Sequence, residues 1–310
     1  MINRELIRNK IVQLVYAEKQ NGGRTINVAE KELDMSLEKA YELYKTLLYL
    51  LTEVRHYAEQ KLEANKMMAE LKGSTTESLP STEALAKNAL LVQLSENDAI
   101  LSFRETHKIW DEEPVIVKKL FTMMADSDVM TAYLEAKDNS YIAQRELIRK
   151  LYKKIWFYND ELDEVLEQQC IYWNDDKRII DSFITKTFKK YEESFTSDYE
   201  LLPAFSSELD KDFAHQLFRA ALERKDEIEE IITENLKGWE RGRMALMDYV
   251  IAHVAIAEIL SIDSVPTSVT INEYINIAKF YSTPQSGAFI NGLLDHCVKK
   301  LRETGKIFKG

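Results

Sequence analysis

The run from Met244 to Leu260 constrains the fold of this chain more than any other stretch. It is apolar nearly all round, and Asp248, His253 and Glu258 interrupt it, so it reads as a buried helix too short and too charged to span a membrane. A helix without a polar face has to be surrounded, as the central helix of a bundle is. Only 9 Gly and 5 Pro occur in 310 residues, which disfavours a loop-rich β protein and favours long helices. The reading is an all-α protein, long enough for one or two domains.

Helical signals continue on both sides of that run. Pro266 stops one helix, and Ile271, Tyr274, Ile275 and Ala278 recur at helical spacing in the next. Thr283-Pro284 predicts an N-cap with proline at the first helical position, and Phe289, Ile290, Leu293 and Leu294 form the apolar face that follows. Gly292 inside that helix predicts a close backbone approach, because glycine there costs roughly 1 kcal/mol against alanine.

At the other end, Asn3 to Gln20 is amphipathic through Ile7, Ile11, Leu14 and Val15, and Asn21-Gly22-Gly23 ends it. Thr25 to Leu33 predicts a short helix, and Ser36 opens a longer one through about Asn65. Gly73 to Pro80 is a polar linker, and Ser81 to Asn139 is patchier, broken at Glu113-Pro114 and at Asp126 to Asp128. Ser207 and Asp210 fit a capping box for the helix through Leu222. Slid against itself, the chain matches Leu147, Trp156, Asp160-Glu161 and Trp173 with Phe213, Leu222, Asp226-Glu227 and Trp239. This predicts that 147–184 is a degenerate repeat of 213–251.

Charge and chemistry narrow the function. The net charge is −11, yet Met1 to Arg24 carries +3 and Lys299 to Gly310 carries +4. Basic ends on an acidic body suggest a local nucleic-acid surface and a basic partner elsewhere. Cys170 and Cys297 have no metal or redox spacing, and the start has no signal-peptide layout, which together read as a cytoplasmic protein. The five histidines are scattered, and no phosphate-cradling glycine loop or nucleophile elbow occurs. The reading is no enzyme, no cofactor, no metal and no small-molecule substrate.

Val265-Pro266, Ile271-Asn272-Glu273, Ala278-Lys279, Ser286, Phe289 and Asn291-Gly292-x-Leu294-Asp295 follow one another in a distinctive order. That order resembles the C-terminal signature of the NusB family of transcription antitermination factors. Val12-Gln13-Leu14-Val15-Tyr16 resembles the Val-Gln-x-x-Tyr element of the family's first helix, although Glu5 and Leu6 stand where further arginines are common. His253 replaces a usual arginine, Gly287 and Ala288 replace polar or basic residues, and Gln285 replaces an acidic one.

The resemblance implies a NusB-like helical bundle built from 1–35 and 206–310, with a helical insertion over 36–205. It implies binding of boxA-type RNA from ribosomal RNA leaders together with the small-subunit ribosomal protein that serves as NusE, followed by joining of the RNA polymerase elongation complex. The residues implied for RNA are Arg4, Arg8, Tyr16, Tyr281, Gln285, Ser286 and Phe289; Glu240 and Asp248 are implied for the partner. For Phe289 alone, core packing competes with base stacking. Two alternatives stay open: a helical interaction scaffold that has lost RNA binding, and an accessory domain for ribosomal RNA modification.

Overall fold

A computed structural model of the chain describes residues 1–236 and 244–309. Among them the α-helices are, in chain order, α1 (Arg4–Asn21), α2 (Ile26–Lys72), α3 (Pro80–Ala86), α4 (Ala89–Glu96), α5 (Asp98–Thr106), α6 (Ile109–Glu112), α7 (Pro114–Ala125) and α8 (Asp128–Ala136). After these come α9 (Tyr141–Leu151), α10 (Asp160–Gln169), α11 (Lys177–Lys190), α12 (Glu208–Glu223), α13 (Lys225–Asn235), α14 (Leu246–Ser261), α15 (Thr267–Tyr281) and α16 (Ser286–Glu303). A π-helical turn, Tyr152–Trp156, extends α9, and a 3-10 turn, Ile171–Trp173, precedes α11. The described residues hold no β-strand, only an isolated bridge between Ile2 and Phe205. No helix among them is long and apolar enough to cross a membrane.

The chain divides into two compact units, Ile2–Glu38 with Phe205–Gly310, and Lys39–Ala204 together with Met1. In the unit made from both ends of the chain, α14 is central. It packs on α1, α12, α13, α15 and α16. Val250, Ile251, Val254 and Ile256 are each 0% exposed although they point in different directions round the helix, as the all-round apolar sequence requires. Each such side chain contributes about 1.5–3 kcal/mol of burial.

In the continuous unit, residues of α2 from Lys39 onward line the core with Tyr44, Leu47, Leu51 and Val54. Two indoles dock on this helix. Trp110 Nε1 donates to the Thr46 carbonyl at 3.1 Å, and Trp173 Nε1 to the Lys39 carbonyl at 2.8 Å. Tyr44 OH and Thr187 Oγ1 share a hydrogen bond of 2.6 Å.

Several sequence expectations need correction. The two helices expected over Thr25–Leu33 and from Ser36 are one helix, Ile26–Lys72. Ser36 does not cap anything, because its Oγ donates backward to the Leu33 carbonyl at 2.9 Å and satisfies the hydroxyl inside the helix. Ser207 precedes α12, yet its side chain makes no cap hydrogen bond to the backbone. A methyl group on Gly292 would meet nothing within 4 Å; the close approach is at Gly287, where it would lie 3.1 Å from Lys279 Cγ. The segments 147–184 and 213–251 share an order of elements: α9 with its π turn, α10 and α11 in one, α12, α13 and α14 in the other. Trp239 lies outside the described residues.

Candidate nucleic-acid interface

The interface grows from the helix α1. Gln13, Tyr16 and Gln20 are spaced three and four apart, which puts them on one face. Gln20 Nε2 donates to Tyr16 OH at 3.2 Å, and Gln13 Nε2 donates to Tyr281 OH at 3.0 Å, tying α1 to the end of α15. Phe280 lies edge-on to Tyr281 with centroids 4.8 Å apart and is 45% exposed. Lys19 reaches the first turn of α14: its Nζ donates to Tyr249 OH at 3.3 Å and sits 4.4 Å from that ring's centroid. Tyr16, Tyr249 and Tyr281 are all half-buried, so each exposes part of a ring while its base is packed.

The α15–α16 turn supplies the charge. Thr283 N–H donates to Ser286 Oγ at 3.2 Å, so residue 286 reaches back to the capping position as in a capping box. Pro284 is not the first helical residue as expected: regular helix begins at Ser286, and Pro284 and Gln285 form the turn before it. The start of α16 therefore presents backbone N–H groups and the positive end of the helix dipole. Lys279 is exposed and its side chain crosses Gly287 in the first turn, a passage that a larger residue at 287 would obstruct. Exposed rings beside a cation and a helix N-terminus suit an unpaired nucleic-acid strand, whose bases stack and whose phosphates seek positive charge.

The structure separates the expected site residues. Tyr16, Tyr281 and Gln285 lie on this surface, with Gln285 exposed. Phe289 is half-buried and lines a cleft of about 430 Å³ with Leu236, Gly292, Leu293 and His296. Ser286 is only 1% exposed, and its Oγ donates to Asp248 Oδ2 at 3.0 Å. That hydroxyl positions the turn and offers no face to RNA. Asp248, expected at the partner, is itself 8% exposed and turned inward to Ser286. Arg4 is at the far end of α1, 3.4 Å from Asp210 and over the Phe213 ring. Glu240 lies outside the described residues.

Arg8 requires the largest correction. It is 3% exposed, and its guanidinium grips Glu258 at 2.8 and 2.9 Å, with Glu273 at 3.5 Å. Burial alone would lower its pKa, but the hydrogen bonds and charge of Glu258 outweigh that and raise it. Thr270 Oγ1 and Tyr274 OH donate to the same carboxylate at 2.9 and 3.0 Å. The group is a satisfied core network with nothing left for a phosphate.

Gln13, Lys19, Tyr249 and Lys279 also border this surface and are not among the residues expected there. Gln13 and Lys19 share helical spacing with Tyr16 and were within reach of a face analysis; Lys279 depends on its crossing of Gly287, which no local pattern reveals. His253, where the family usually has arginine, is 1% exposed and lies with Nε2 2.7 Å from the Ala221 carbonyl. Burial pushes its pKa down to about 4, so it is a neutral core residue.

The unit is an all-α bundle round a central apolar helix, with an aromatic, lysine-edged surface at one helix start. The NusB family model matches residues 178–299. Transcription antitermination protein NusB of Salinibacter ruber is 40% identical over 99 residues, covering 32% of this chain and 62% of that protein. The protein of the same name from Geobacter sulfurreducens is 43% identical over 95 residues, covering 31% of this chain and 69% of its own. For the relative from Chloroherpeton thalassium the figures are 38% identity over 99 residues, 32% and 47%. The solved structure of T. maritima NusB is 32% identical and covers 34% of this chain and 75% of that one, with a TM-score of 0.30. The chain belongs to the NusB family. It spans less than two thirds of the length of the Salinibacter and Chloroherpeton relatives.

Proposed function

We propose that this chain is an RNA-binding transcription antitermination factor of ribosomal RNA operons. It binds boxA-type leader RNA together with the small-subunit ribosomal protein that serves as NusE, and the complex joins elongating RNA polymerase. The observation that carries this reading is the surface of Tyr16, Phe280 and Tyr281 beside Lys279 and the start of α16, in a chain of this family. Bases stack on the rings, phosphates lie at Lys279 and the helix start, and Gln285 and Phe289 border the strand. The factor acts by positioning RNA and protein, with no covalent step. The net charge of −11 suits a basic ribosomal protein as partner.

Arg8 and Ser286 are occupied inside the fold, and Gly287 and Ala288 bring no cation, so RNA affinity leans on the partner. The test is binding of boxA-like RNA with and without the NusE partner across a salt series. Tighter binding with the partner supports the reading. Absence of binding in both arms favours a scaffold without RNA, and equal affinity in both arms overturns the dependence on the partner.

A further inference from the structure

The unit Lys39–Ala204 contains a basic surface of its own. The stretch 145–154 carries Arg145, Arg149, Lys150, Lys153 and Lys154 against Glu146; 177–190 carries Lys177, Arg178, Lys186, Lys189 and Lys190 against Asp181. These two stretches are spatial neighbours and run antiparallel. Arg145 donates to the Tyr191 carbonyl at 2.8 Å, Tyr152 OH donates to Asp181 Oδ1 at 2.6 Å, and Lys177 Nζ donates to the Trp156 carbonyl at the end of the π turn. The Tyr152 and Phe188 rings meet edge to face at 5.6 Å.

Apart from Arg145 and Arg178, the cations divide into two sets. Lys177 and Arg149 are committed, the first to Asp181 and the second to Glu146, and Lys154 pairs with Asp128. Lys150, Lys153, Lys186, Lys189 and Lys190 are all exposed and make no ion pair among the described residues; Lys186 lies over the Phe183 ring at 4.5 Å. Lys150 and Lys153 are about one turn apart, as are Lys186 and Lys189–Lys190, so each helix offers its ammonium groups at roughly the 5.4 Å helical pitch. The wider π turn leaves Lys153 and Lys154 both exposed. Just beyond, Tyr158 is 86% exposed and contacts Phe157 edge to face. Glu192 and Glu193 follow α11 as the opposing charges at its end.

We propose that α9 with its π turn and α11 form a second RNA-binding surface, which holds the phosphodiester backbone of single-stranded RNA and stacks a base on Tyr158. The preference for RNA among polyanions rests on the function proposed above. Rows of unpaired lysines repeating along two helices match a ligand whose charge also repeats along a chain. A lipid surface fits poorly, because Ile148, Leu151, Ile180, Ile184 and Phe188 are all buried and a single exposed aliphatic on these helices, Ile142, makes no apolar face to enter a bilayer.

The experiment uses the full-length chain and a variant with Lys150, Lys153, Lys186, Lys189 and Lys190 all changed to Gln, alongside Tyr16→Ala/Tyr281→Ala. All five lysines are exposed, and circular dichroism melting confirms the fold of the variant. A fluorescent mixed-sequence single-stranded RNA is titrated over a salt series. Five phosphate contacts contribute about −3.5 to the slope of log K against log salt, so the variant should lose most of that slope and bind roughly 10- to 100-fold more weakly at low salt. The same five positions changed to Arg should retain both.

An unchanged slope and affinity in the Gln variant overturns the proposal, whatever the tyrosine variant does. Loss in the Gln variant with no loss in the tyrosine variant supports this surface and removes the first one. Binding of phosphatidylserine vesicles or polyglutamate that the Gln substitutions abolish, with RNA binding unchanged, overturns it in favour of a membrane or an acidic protein.

Discussion

Arg8 and Glu258, 250 positions apart in the sequence, are joined by a two-point ion pair in which Arg8 Nε lies 2.8 Å from one carboxylate oxygen and a terminal nitrogen 2.9 Å from the other. Glu258 is 0% exposed and takes two further donors, Thr270 and Tyr274. Removing one partner strands the other charge without water. Arg8→Met or Glu258→Leu alone should therefore cost about 3–5 kcal/mol in urea unfolding, and the double variant should recover part of the loss. Any fall in RNA binding in Arg8→Met should follow the folded fraction.

The rings of the interface make a different prediction. Tyr16→Ala and Tyr281→Ala should each weaken boxA-like RNA by about 1–3 kcal/mol while thermal melting moves little, since both side chains are half-exposed. Lys279→Gln should lower the salt slope by about 0.7, the share of one phosphate on a single strand. Fluorescence anisotropy over a salt series reads both effects.

Acid should act on the two units with opposite sign. Burial pushes His253 down to about 4, and protonation would leave a buried Nδ1–H that has no partner in the folded state. Its contribution is fully present above the ordinary value of 6.5 and is lost as pH falls toward 4. Burial pushes Asp181 up to about 6, although Lys177 opposes this, so its contribution is present below 3.8 and is lost as pH rises through 6. Each span corresponds to about 3 kcal/mol at most. Hydrogen exchange from pH 4 to 7, corrected for intrinsic rates, should show α14 gaining protection and α11 losing it. His253→Leu and Asp181→Asn should flatten the two trends.

Gly292→Ala should stabilise the chain by about 0.5–1 kcal/mol, because the added methyl enters open space within a helix. At Gly287 the same change presses on Lys279, so the gain should be smaller and the salt slope of RNA binding should fall with it. Melting temperature and RNA titration of the two variants separate these outcomes.

The central helix was legible because no polar face exists between Leu246 and Ser261, a property that survives any arrangement of neighbours. The helix start after α15 was legible only in part: α16 begins at Ser286, two residues beyond the Pro284 expected to open it, because Pro284 and Gln285 form a turn held by Ser286 Oγ on the Thr283 N–H. Arg8 was not. Four residues after Arg4 it looks like one of a surface pair, and only a carboxylate 250 positions away turns it inward. The break expected before Ser36 failed because a serine can satisfy its hydroxyl on the preceding turn and let the helix continue. That 147–184 repeats 213–251 stays a proposal; superposition of α9–α11 on α12–α14 checks it, and a different packing of the three helices would refute it.

The unit that carries the interface is assembled from the first and last parts of the chain, with Lys39–Ala204 synthesised between them. At about 5–20 residues per second, Arg8 leaves the ribosome some ten to fifty seconds before Glu258 exists. Once residue 204 is made the intervening unit has its whole sequence, while α1 still lacks α12 and α14, the helices it packs on. The translation order therefore makes the unit built from both chain ends the last to close, and leaves the apolar face of α1 uncovered until it does.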